Sequence, residues 1–283
     1  MVNEGYDVWL GNSRGNKHSN HHVTLKTKSK KFWDFCFEEM GMHDITSVTN
    51  YILSNTGLPN LTYIGHSQGC TQFMILCSNN PEFCAKNFNG FIALGPAIYL
   101  DHSTSYVLKA LAELRIDIVL KSMGINSVFT SAEDTNFLTK TICKMFKLLC
   151  NGIADILADG VDAKNNQDRL KVFYAHFPSG TSSKDFVAFG NLIRQKDFIS
   201  PDSFKPYPLE NFKVKTYAKI GLSDLLADPV DCKRLQKVLE NNGVLMDYKE
   251  YPNMGHLSFF MTDGNNTYIK DVIENVKSLN NDN

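Results

Sequence analysis

The sequence predicts an α/β fold, a mostly parallel sheet flanked by helices and interrupted by a helical insertion. Three observations predict it. Short β-favouring runs alternate with segments of helical period toward both ends of the chain. One run, Leu61-Thr62-Tyr63-Ile64, feeds directly into Gly65-His66-Ser67-Gln68-Gly69 and then a helix-like stretch. From about Asp101 to Gln195 apolar helical segments dominate and no strong strand pattern appears. The expected layout is a first core part over 1–100, a helical insertion over 101–199 and a second core part over 200–283.

The elements follow in order. Residues 5–11, with Tyr6-Asp7-Val8-Trp9-Leu10 at their centre, read as a short strand ending at Gly11. A polar loop follows from Asn12 to about Ser29. Met40, Ile45, Val48, Tyr51 and Ile52 fall at helical spacing, which predicts a helix from about Glu38 to Ser54, stopped by Gly57 and Pro59. The Leu61–Ile64 strand, the glycine-rich turn and a helix over Cys70–Ser78 come next. Phe91-Ile92-Ala93-Leu94 is a buried strand closed by Gly95-Pro96. Helices are expected at Tyr106–Lys121, Phe137–Leu157 and Ser183–Ile193. Alternation then returns with a strand at Lys213–Ile220, a helix at Val230–Asn241, a strand at Leu245–Tyr251 and a closing helix at Tyr268–Leu279.

Composition narrows the function. The chain has 283 residues, 43% of them hydrophobic, enough for one large core. Lys and Arg number 29 against 30 Asp and Glu, without runs of one sign, so no nucleic-acid partner is expected. No stretch approaches ~18 uninterrupted apolar residues, so no transmembrane segment is expected. No signal peptide is read at Met1-Val2-Asn3-Glu4-Gly5. The seven cysteines lack a C-x-x-C pair, so no zinc ribbon or dense disulfide framework is supported. Cys143 and Cys150 read as the one close pair, yet on a straight helix they would lie about 10 Å apart. Sequons at Asn60 and Asn265 support glycosylation weakly.

The turn at Gly65–Gly69 carries chemistry. A serine hydroxyl needs a base and an exposed oxygen to act as nucleophile. A Gly-x-Ser-x-Gly turn between strand and helix supplies the exposure, and the helix N-terminus favours developing negative charge. Ser67 is therefore the candidate nucleophile, and the backbone N–H of Gln68 a candidate oxyanion donor. Among eight histidines, His256 follows the last strand, at the carboxyl edge of a parallel sheet where Ser67 also lies. His66 adjoins the serine but is expected to point away. His18, His21 and His22 read as a solvated loop rather than a metal site, and His102 and His176 fall at the edge of or within the insertion. Of the carboxylates after the Lys213–Ile220 strand, Asp224 lies closest to the strand end. Asp228 reads as a helix cap and Asp231 as a first-turn dipole partner. The chain order Ser67, Asp224, His256 is that of α/β-hydrolases.

These segments together resemble the acid lipase family of α/β-hydrolases, the group containing gastric and lysosomal acid lipase. Gly5-Tyr6-Asp7-Val8-Trp9-Leu10-Gly11-Asn12-Ser13-Arg14-Gly15-Asn16 is similar to the family's signature. Phe32-Trp33-Asp34-Phe35, Ala93-Leu94-Gly95-Pro96, Pro178-Ser179-Gly180-Thr181-Ser182, Asp224-Leu225-Leu226-Ala227-Asp228-Pro229 and His256-Leu257 agree in order. The resemblance implies a cofactor-free serine lipase cleaving neutral lipid esters such as triacylglycerols or cholesteryl esters at a lipid–water interface. It implies a triad of Ser67, Asp224 and His256, a helical cap and lid over 101–199, and a glycosylated, secreted or lysosomal protein. Family members carry about three strands ahead of the Gly5–Gly11 segment, with a His-Gly motif that supplies a second oxyanion donor. No His-Gly pair occurs here. The N-terminal strands are therefore expected to be missing, leaving a gap at mid-sheet or an unusual strand pairing. Loss of one oxyanion donor costs on the order of 10²–10³ in rate, so the chain as it stands is expected to be weakly active or inactive. A thioesterase or acyltransferase of the same fold, and a non-catalytic lipid-binding protein, are the alternatives.

Overall fold

A computed structural model describes residues 1–105, 109, 112–113, 122–128, 130, 159–160, 162–176, 179–262 and 267–281. The expected helix at Phe137–Leu157, most of that at Tyr106–Lys121, the pair Cys143 and Cys150, and Asn265 lie outside these residues. A four-stranded parallel sheet runs in the order β1 (Leu61–His66), β2 (Phe88–Leu94), β5 (Thr216–Gly221), β6 (Leu245–Tyr251). All strands point the same way, so their carboxyl ends share one rim.

Helices cover both faces, as a fully parallel sheet requires. Alternation along β2 shows the division. Phe91 and Ala93 join one cluster with Phe73 of α3 (Gln68–Asn79) and Leu235 and Leu239 of α7 (Pro229–Asn241). Ile92 and Leu94 join a second cluster with Val272, Val276 and Leu279 of α8 (Thr267–Asn281). The helix expected from Glu38 is in fact α1 (Phe37–Glu39), a π-helical turn at Met40–Ile45 and α2 (Thr46–Thr56) in unbroken succession. Gly41 in that turn presses on α3, where an added Cβ would lie 2.5 Å from the Gln72 carbonyl oxygen. Backbone cannot give way as a side-chain tip can, so Gly41→Ala is expected to destabilise the fold by about 1–3 kcal/mol. A urea unfolding midpoint measures it.

Between β2 and β5 the described elements include β3 (Ser127–Val128), α5 (Gln167–His176), β4 (Thr181–Ser182) and α6 (Ser183–Gln195). β3 and β4 form a small antiparallel pair that the sequence pattern did not predict. Among the described residues no helix is long and apolar enough to cross a membrane.

Two expectations need correction. Residues 5–11 are not a strand. Val8, Trp9 and Leu10 are exposed, Leu10 by 88%. A strand exists only with a ladder partner, and none lies beside this segment among the described residues. Trp9 instead meets Tyr51 edge-on at 5.9 Å. Among the described residues the sheet likewise shows neither a central gap nor an unusual pairing, because β1 is its edge strand. The cysteine reading also missed a bridge. Cys77 near the end of α3 and Cys84 in α4 (Pro81–Asn87) are disulfide-bonded with Cα atoms 5.4 Å apart. The signal was the break at Asn80-Pro81, which turns α4 back on α3. Asn80 caps α4 by accepting the Phe83 N–H.

Candidate active site

Ser67 sits in the turn from β1 to α3 with φ 54° and ψ −119°, a left-side conformation that is costly for any residue bearing a Cβ. Neighbours hold it there. The Ser67 N–H donates to the Leu94 carbonyl at 3.0 Å, and the Cys70 N–H returns to the Ser67 carbonyl at 2.9 Å. A Cβ on Gly65 would lie 3.0 Å from the backbone of Gly69 and Cys70, so a side chain there would press on the turn. Gly69 is less constrained, since its Cβ would meet only the Tyr63 hydroxyl at an ordinary 3.7 Å. The close strand–helix packing therefore rests on Gly65 rather than on both glycines. Ser67 itself is half-buried and reaches the surface. The Gln68 N–H stands at the N-terminus of α3, next to the serine.

The rim brings three distant residues together. Asp224 follows β5 and His256 follows β6. His256 Nε2 lies 2.7 Å from Ser67 Oγ, and His256 Nδ1 lies 2.8 Å from Asp224 Oδ2. Asp224 Oδ1 accepts the N–H groups of Leu226 and Ala227, both at 2.8 Å. A buried carboxylate has no proton of its own to give, so His256 Nδ1–H must donate to it. Nε2 is then the free lone pair, and the Ser67 hydroxyl donates to it. Burial disfavours the imidazolium, but the charge and hydrogen bond of Asp224 and the charge of Asp159 outweigh it. The His256 pKa is raised above its ordinary 6.5. Burial pushes Asp224 upward, opposed by His256 and the two backbone donors.

Sequence reasoning missed several supports. Gly95 has φ 48°, and a Cβ there would lie 3.2 Å from Asp224 Oδ2 and 3.3 Å from His256 Nδ1. It floors the Asp–His hydrogen bond. Gly221 lets the end of β5 approach the Met254 carbonyl, where a Cβ would lie at 2.3 Å. His66, next to the serine in sequence, meets the histidine loop. Its Nε2 donates to the His256 carbonyl at 2.8 Å, and its ring lies 4.6 Å from that of His256. Burial, then the neighbouring His256 charge, holds its pKa well below the ordinary value. It stays neutral behind the loop.

The remaining candidates lie elsewhere. Asp228 caps α7 by accepting the Val230 N–H at 2.9 Å. Asp231 is buried and accepts both the N–H and Nδ1–H of His102. His22 Nδ1 accepts the N–H groups of Thr24 and Leu25. Asn60 lies just before β1 at a partly exposed position.

Comparison with known proteins shows the family. The profile of the alpha/beta hydrolase fold matches residues 2–261. Lipase member K of Mus musculus is 33% identical over 92% of this chain and 68% of its own length. The same three figures hold for gastric triacylglycerol lipase and for lysosomal acid lipase/cholesteryl ester hydrolase, both of Rattus norvegicus. The chain belongs to the acid lipase family. A monoacylglycerol lipase from Paleococcus ferrophilus shares the fold at a TM-score of 0.51 and 16% identity, covering 84% of this chain and 76% of that one. For an acid lipase the rim of the sheet is where ester hydrolysis is to be sought. In the segment that resembled the family signature, Arg14 is held by Asp44 of the π turn, which accepts the Arg14 N–H at 2.9 Å and Nε–H at 2.8 Å.

Proposed function

We propose that this protein is a serine carboxylic-ester hydrolase acting on neutral lipid esters, with Ser67 as nucleophile, His256 as base and Asp224 as its orienting acid. The observation that carries this is the continuous hydrogen-bonded row from Ser67 Oγ through His256 to Asp224, beginning at a half-buried serine. His256 Nε2 takes the Ser67 proton as Oγ bonds to the ester carbonyl carbon. The carbonyl electrons move to oxygen, where the Gln68 N–H stabilises them. The intermediate collapses as His256 returns the proton to the leaving alcohol. Water, deprotonated by His256, then releases the fatty acid from Ser67. No step calls on a metal or organic cofactor.

The names of the rat relatives point to triacylglycerols or cholesteryl esters as substrates. The Cys77–Cys84 bridge suits an oxidising compartment, which supports a secreted or lysosomal location. We read the chain between β2 and β5 as a cap over the site. A fluorophosphonate probe tests the nucleophile, since only an activated serine reacts with it. Labelling that maps to Ser67 is expected. A folded protein that stays unlabelled would remove the reading, and would favour a non-catalytic lipid binder. Fatty acid passed to an added alcohol in preference to water would mark an acyltransferase.

The pH profile follows from the base. Only neutral His256 can accept the serine proton. Its raised pKa therefore means that kcat/KM for a nitrophenyl ester should rise with pH through a midpoint above 6.5 and fall below it. A profile flat through that range would show that His256 is not the base.

A further inference from the structure

The chain between β2 and β5 reaches the histidine loop from behind, and it brings a second carboxylate. Asp159 is buried, and its Oδ1 accepts the Leu257 N–H at 2.8 Å. Its Oδ2 accepts Asn165 Nδ2–H at 2.6 Å. Asn165 Oδ1 accepts the Ser258 hydroxyl at 2.8 Å, and Ser258 Oγ accepts the Gly255 N–H at 2.9 Å. One continuous set of hydrogen bonds thus grips the backbone on both sides of His256. The approach is tight, since a Cβ on Gly255 would lie 2.3 Å from Asp159 Oδ1.

The gripping segment is itself tied down. Asp159 forms a backbone bridge with Asp224. The Gly160 N–H donates to the Ser223 carbonyl at 2.7 Å, Lys164 N–H to Asn253 at 2.9 Å, and Asn166 N–H to Met261 at 2.6 Å. Each acceptor lies in the loop that carries Asp224 or at either end of the loop that carries His256. A residue far from both loops in sequence therefore holds the two in one frame.

We propose that Asp159 is a positioning residue for His256, a buried second carboxylate that locks the histidine loop against the Asp224 loop. The proposal rests on the reading of Ser67, His256 and Asp224 as the catalytic row. Three titratable groups face the imidazole: Asp224 at Nδ1, neutral His66 beside the ring, and Asp159 behind the loop. Asp159 adds to Asp224 in favouring charge on His256. Burial raises the Asp159 pKa, opposed by its Asn165 and Leu257 donors and by His256.

Two variants of the full chain test this. Asp159→Asn keeps the shape and removes the charge. Ser258→Ala breaks the hydrogen-bonded grip and leaves the charge. Histidine titration followed by NMR and the pH profile of nitrophenyl ester hydrolysis are measured for both. In Asp159→Asn the His256 titration and the acid limb of kcat/KM should both move down by about 0.5–1 pH unit, less than a directly bonded partner causes. In Ser258→Ala the limb should stay while kcat falls about tenfold, because a displaced base misses its proton. An unmoved His256 titration in folded Asp159→Asn, or an undiminished kcat in Ser258→Ala, overturns the proposal. Should Asp159→Asn not fold, the Ser258→Ala arm decides alone. If the wild type neither labels with fluorophosphonate nor turns over, the hydrolase reading fails, and the NMR titration still decides whether Asp159 acts on His256.

Discussion

Ser67→Ala is expected to lower ester turnover by about 10⁶-fold, the scale on which removal of a serine nucleophile collapses a triad. The fold should survive the change. Alanine keeps the Cβ, so the strained φ of the turn is no worse. The bonds that hold the turn, from Ser67 N–H to Leu94 and from Cys70 N–H to Ser67, are backbone bonds and persist. What disappears is one hydroxyl on His256 Nε2, at a net cost of about 1 kcal/mol or less. Circular dichroism should be unchanged, while hydrolysis of both a nitrophenyl ester and an emulsified triacylglycerol is lost. No neighbour can substitute. Cys70, the nearest thiol in sequence, is buried, donates to the Gly65 carbonyl, and has its pKa pushed up by desolvation. Retained hydrolysis in the variant would mean that the nucleophile is another residue.

The central elements were legible because each carries its own local signal. β6 spans the run Leu245–Tyr251 that the residue pattern marked, and α7 begins at Pro229 behind the Asp228 cap. The convergence of Ser67, Asp224 and His256 was legible for a topological reason. Each follows a strand, and parallel strands deliver their carboxyl ends to one rim. Features that depend on a distant partner were not legible. Tyr6–Leu10 has strand composition, yet composition does not provide a ladder. Asp159 sits in a stretch read as helical insertion, and its importance appears only when Leu257 and Asn165 are seen to meet it. Gly95 looked like a strand terminator. Its closer constraint is the Asp224–His256 pair above it. Glycine is informative in sequence, but what crowds it is not.

Asp224→Asn should cost about 10⁴-fold in kcat, with little change in KM, although almost nothing moves. The structure determines how the amide must sit. Asp224 Oδ1 accepts two backbone N–H groups, from Leu226 and Ala227, and only an oxygen can do so. The amide nitrogen is therefore forced into the Oδ2 position, 2.8 Å from His256 Nδ1. There it donates where the carboxylate accepted. His256 must then present Nδ1 as a lone pair and carry its proton on Nε2, which faces Ser67 at 2.7 Å. Two hydrogens meet at the serine, and the base is in the wrong tautomer. Asp159 cannot take over, because its oxygens are engaged by Leu257 and Asn165 on the far side of the loop. Single-turnover acylation and fluorophosphonate labelling should slow together. A variant within about tenfold of wild-type kcat would mean that the carboxylate does not select the tautomer of His256. The hydrogen bond at Nδ1 would then serve the fold rather than the chemistry.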